Sequence, residues 1–155
     1  MNTTTSHRVG IHGSQRHTDS QADRRRAGAF WALLTTAGSF GVGAWALAAA
    51  SGVTRLTDTD YDTEFLDSGI TLLVYPLLVL VFLATRKHVL AGLVATVGLV
   101  AGQTWAMTVC VNRYADSGWS DGLEVLGYIL PISLGLFGLV IVLATWLAHR
   151  PRFRA

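Results

Sequence analysis

Cysteine is almost missing from this chain. Cys110 stands alone among 155 residues, which excludes an intrachain disulfide framework and any chemistry that needs a dithiol pair. Charge is scarce too: Asp, Glu, Lys and Arg make up 14% of the residues and the net charge is +2, against about a quarter charged residues in soluble domains. What fills the space is apolar. Hydrophobic residues reach 51% and mean hydropathy is +0.42. This balance disfavours a water-soluble globule and indicates a protein of the lipid bilayer.

Four stretches read as spans: 27–50, 65–84, 89–111 and 123–148. Crossing a ~30 Å hydrocarbon core takes about 20 helical residues at about 1.5 Å each, and all four supply them. The second is marginal, because its unbroken apolar part starts only at Ile70; the fourth is long enough to tilt. Helix is required rather than strand, since backbone groups in lipid must pair within the segment, and the run 72–81 lacks the alternation of a barrel strand. The expected fold is therefore an all-α membrane protein with four transmembrane helices in an up-down four-helix bundle. Residues 1–26 read as a disordered basic cytoplasmic tail, 27–148 as the transmembrane domain and 149–155 as a second basic tail. Residues 85–88 read as a tight turn between spans two and three. Pro76 and Pro131 read as interior kinks that free the carbonyls of Leu72 and Gly127, and Asp121 with Glu124 as a capping pair for the last helix.

Charge sets the orientation. Ten of the twelve basic residues fall in the two tails and the 85–88 turn, leaving only Arg55 and Arg113 in the other two connections. Those connections and their rims hold Asp58, Asp60, Asp62, Glu64, Asp67, Asp116, Asp121 and Glu124. The positive-inside rule places both termini in the cytoplasm of a multi-pass plasma-membrane protein. Arg24–Arg26, an apolar run and Ala46–Ser51 imitate a cleavable signal peptide, but the run is longer than the ~7–15 residues of such a leader, so it is read as a retained helix.

Within the spans, Lys, Arg and His are lacking and carboxylates enter only at the lips. Proton-coupled exchange, haem ligation and intramembrane proteolysis all need groups that are missing at mid-depth, so no catalytic, cofactor-binding or metal-binding residue is assigned and an enzyme is not expected. The alternating acids 58–64 imitate the start of a calcium loop, yet Thr63 and Gly69 stand where Gly and Glu belong. They read as a solvated outer loop. Three histidines in the N-terminal tail, His7, His12 and His17, recur every five residues with no Cys beside them and are not read as a metal site.

Two constellations remain. Ala91, Ala95, Gly98, Gly102 and Ala106 form a small-residue stripe on the third span, and Ser39 with Gly43 repeats the device on the first; such faces let helix backbones approach closely. The polar set Thr35, Thr36, Gln103 and Thr104 could line a path along helices one and three, and Gln103 should hydrogen-bond to another helix rather than face lipid. The expected function is an accessory or scaffolding subunit, or a small sensor, acting through helix packing; the alternative is a transporter or channel subunit with that polar path. Expected partners are the bilayer, anionic headgroups at the cytoplasmic face, and a membrane-protein partner or a second copy, with no nucleic acid.

Overall fold

Once a helical turn exists, each added residue is held by one more hydrogen bond, so extension is far cheaper than nucleation. Helix α1 exploits this and runs from Ile11 to Ala50 in the computed structural model, which describes residues 11–50, 70–116 and 123–149, with side chains over 18–48, 72–112 and 125–149. The expectation of a disordered tail is thereby corrected for residues 11–26. Gln15, Gln21, Ala22 and Arg24–Arg26 are good helix formers propagating from the apolar run, although residues 18–26 stay exposed. Residues 1–10, the acidic loop 58–64 and the tail 150–155 lie outside the described residues, as do Asp121 and the side chain of Glu124.

The second expected span differs most. A short 3-10 turn covers Ile70–Val74, Tyr75 and Pro76 form a turn, and α2 runs over Leu77–Lys87. Pro76 does not kink a helix interior; it is the N-cap of α2, where its missing N–H has no intrahelical partner to lose. The Leu72 carbonyl accepts from the Tyr75 N–H at 3.1 Å. Pro131 likewise sits in the first turn of α4, Ile129–Ala148, which follows a 3-10 turn over Leu123–Tyr128. Both expected kinks are therefore helix starts.

Helix α3 covers Val89–Asp116. Only His88 separates it from α2, with extended backbone, so the expected four-residue turn shrinks to one residue. Arg86 and Lys87 close the last turn of α2, where cations complement the exposed carbonyls. His88 itself donates its N–H to the Ala84 carbonyl at 2.9 Å, and its own carbonyl accepts from Gly92 N–H at 3.2 Å. Gly92 permits this tight reversal: a Cβ there would lie 2.9 Å from the Thr85 Cα.

Contacts fix the helix directions. Gly28 faces His88 and Ala91, whereas Gly43 faces Ala106, so α1 and α3 run parallel. Leu77 lies against Gly38, near the middle of α1, so α2 is antiparallel to it. Gly135 meets Val100 and Gly138 meets Thr96, making α4 antiparallel to α3. Helices α2 and α3 each touch α1 and α4, while α1 and α4 flank this hairpin from opposite sides. Ala32, Val74, Val81, Ala84, Ala95, Leu99, Leu134 and Val142 form the buried centre.

Apolar groups are not confined to the interior as in a soluble bundle. Beside the apolar centre the interior holds small and hydroxyl side chains, with Thr35, Ser39, Thr85, Thr96, Gln103 and Thr145 buried. Phe30, Leu33, Leu73, Val97, Ile132, Phe137 and Val140 are exposed. In water such a surface drives association; in lipid it is solvated. Three segments, Thr18–Ala48, Val89–Asn112 and Val125–Ala148, are long and apolar enough to cross a membrane. Helix α2 alone, at 11 residues, rises only about 16 Å.

Candidate functional site

Helices can approach only as near as their side chains allow, and the α1/α3 interface is built from side chains with almost nothing on them. A Cβ on Gly43 would lie 2.9 Å from the Ala106 Cβ, one on Gly102 would lie 2.7 Å from Ser39 Oγ, and one on Gly98 would meet the Thr36 side chain. Ala91 packs at 3.2 Å from the Cβ position of Gly28, and Ala95 is fully buried. The small-residue stripe of the third span and the Ser39/Gly43 face of the first therefore meet one another.

In the middle of this seam the backbones are near enough for polar groups to reach across. Gln103, only 2% exposed, donates from Nε2 to the Ser39 carbonyl at 3.0 Å and to Ser39 Oγ at 3.0 Å. Ser39 Oγ in turn donates to the Leu99 carbonyl at 3.1 Å. The orientation of the amide follows from chemistry: a backbone carbonyl can only accept, so the nitrogen must face it. Gln103 Oε1 finds no protein partner among the described residues. Isolated buried amides are costly, and here two donated bonds offset the cost.

The hydroxyls along the rest of the seam are spent locally. Thr35 donates to the Trp31 carbonyl at 2.7 Å and Thr36 to the Ala32 carbonyl at 3.0 Å, each folding back one turn on its own helix. Thr104 lies on the exposed face of α3, away from Thr35 and Gln103, because adjacent helical positions point about 100° apart. The four proposed path residues are thus not brought together: Thr35 and Gln103 are interior, Thr36 is half-buried and Thr104 faces outward.

Sequence reasoning missed the second set of close approaches. Thr96 fills the notch of Gly138, whose Cβ position lies 2.7 Å from Thr96 Cγ2, while its hydroxyl donates to Gly92 O at 2.9 Å. Gly135 and Gly138 share one face of α4 at i, i+3 spacing, a signal present in the sequence. Tyr128 Oη donates to Thr108 Oγ1 at 3.0 Å, tying the turn before α4 to α3. Among the described residues no group of three or more His, Cys, Asp or Glu side chains comes together. What the seam can do is hold two helices in register through an amide, a hydroxyl and a carbonyl. No protein-family model, curated protein or solved structure matches the chain.

Proposed function

We propose that the chain is a multi-pass protein of the plasma membrane, with four spans and both ends in the cytoplasm, that serves as an accessory or scaffolding subunit or a small sensor through helix packing. One observation carries this reading: the α1/α3 seam is closed by small residues and satisfied hydroxyls around the Gln103–Ser39 lock, while many large apolar side chains face outward. An outer surface of that kind is available to lipid and to other membrane helices. In this reading the second span combines the turn Ile70–Val74 with α2. The orientation draws support from Gly28, whose contact with His88 brings Arg24–Arg26 to the same end as Arg86 and Lys87.

Purification in mild detergent tests the reading. A stoichiometric membrane partner, or a homo-oligomer, is expected; a monomer without partners counts against it. Gln103 Oε1, which has no protein partner among the described residues, favours one rival, a transporter or channel subunit. That rival requires solute flux in reconstituted vesicles that Gln103→Leu abolishes, whereas packing predicts no flux with either variant.

A further inference from the structure

The α1/α3 seam opens outward, toward its basic end, into a groove of about 770 Å³. Because the two helices run parallel, Arg25 on α1 and His88, just before α3, stand at the same end. Beyond them the groove is apolar. Ala29 and Ala91 leave room at its floor, and Leu33 and Leu90, 69% and 62% exposed, project beside it. From Arg25 to Thr36 the α1 wall rises about 16 Å, close to the ~15 Å half-thickness of the hydrocarbon core. Thr36 adds no polar demand, since its hydroxyl is turned to the Ala32 carbonyl.

We propose that this groove seats one acyl chain of an anionic phospholipid, with the lipid phosphate held by the Arg25 guanidinium and the His88 ring. The inference rests on the chain lying in a bilayer, and it goes beyond packing by assigning the groove a ligand. Charge complementarity identifies the occupant. Arg25 has no acidic partner among the described residues, and Arg24, Arg26, Arg86 and Lys87 surround the same end. A guanidinium with a free fork beside an apolar channel matches a phosphodiester joined to a hydrocarbon chain. A neighbouring protein helix would satisfy the channel and leave the cationic end unmatched.

The full chain is placed in nanodiscs of phosphatidylcholine mixed with phosphatidylglycerol, and retained lipids are counted by native mass spectrometry after mild detergent release. One phosphatidylglycerol per chain is expected to be held in preference to phosphatidylcholine. Arg25→Gln should lower that preference about fivefold, the worth of one charge at the headgroup. Ala29→Trp should occlude the floor and remove retention, with near-UV circular dichroism reporting that packing survives. Arg24→Gln, beside the groove but not lining it, should lower the preference by clearly less than Arg25→Gln does. Equal losses from Arg24→Gln and Arg25→Gln, or full retention by Ala29→Trp, would overturn the proposal in favour of diffuse surface charge. A chain-to-chain disulfide through Leu33→Cys without lipid retention would assign the groove to a second copy and overturn it as well. Failure of the unmodified chain to enter nanodiscs would instead sink the bilayer reading itself.

Discussion

A single methyl group, moved two residues along α1, separates a packing face from a lipid face. A Cβ added at Gly41 meets nothing within 4 Å, whereas one at Gly43 lies 2.9 Å from the Ala106 Cβ. Ordinary contact starts near 3.4 Å, so the Gly43→Ala methyl arrives about 0.5 Å too close. The atom it meets is anchored to the α3 backbone and cannot rotate away; the helices must part. Overpacking of this kind costs about 1–3 kcal/mol. The gain in helix propensity from Gly to Ala, at most ~1 kcal/mol, applies at both sites and cancels between them. Gly43→Ala is therefore expected to be less stable than Gly41→Ala by about 1–3 kcal/mol. Adding Ala106→Gly to Gly43→Ala moves the methyl to the other helix and should restore most of the loss. The assay is unfolding in mixed micelles titrated with SDS, followed by tryptophan emission; Trp105 lies 4.0 Å from the substituted position. Equal stability of the two single variants, or no recovery in the double variant, would refute a direct α1/α3 contact at this position.

Gln103→Leu should cost about 1 kcal/mol in the same titration, since two interhelical bonds in a membrane average about 0.6 kcal/mol each; a loss above about 4 kcal/mol would make Gln103 far more than a lock. Leu134→Ala, at a fully buried position, should cost about 2–5 kcal/mol. Leu136→Ala, 61% exposed, should change folding in lipid by less than about 0.5 kcal/mol, and equal effects from these two would contradict the division of α4 into a buried and an outward face. Pro131→Ala should shift stability by under about 1 kcal/mol, because the ring occupies a first turn, whereas Leu134→Pro should cost at least about 3 kcal/mol; helicity by circular dichroism and the titration midpoint read both.

Much of the α1/α3 seam is legible in the sequence because its spacing follows the helical period. Small residues four, three, four and four apart on the third span can only share a face, and Gln103 among apolar neighbours demands a partner. The identity of that partner is harder to see, since a small-residue stripe fits any backbone. The parallel mate, α1, emerges only from the contacts. Thr104 is turned about 100° from Gln103 and lies two positions short of Ala106 in the stripe, so their separation is written in the helical angle. The role of the prolines is hidden for a different reason. Their effect depends on where the helix begins, and the 3-10 turns that precede α2 and α4 leave no periodic mark in runs as apolar as 70–80 and 123–135. Residues 11–26 carry no apolar face to reveal a helix; they are helical by extension from the segment that follows.

The Ser39–Gln103 bond joins residues 64 positions apart, with α2 made in between. For a chain threaded into lipid during synthesis at about 5–20 residues per second, α1 waits some 3–13 s for its mate. Through that interval the Ser39 hydroxyl can be satisfied only by turning back on its own helix. The hairpin of α2 and α3, hinged on one residue, then delivers the amide and displaces that temporary bond. The pairing of α1 with α3 thus comes with a swap of hydrogen-bond partners, before α4 is made and packs against the hairpin.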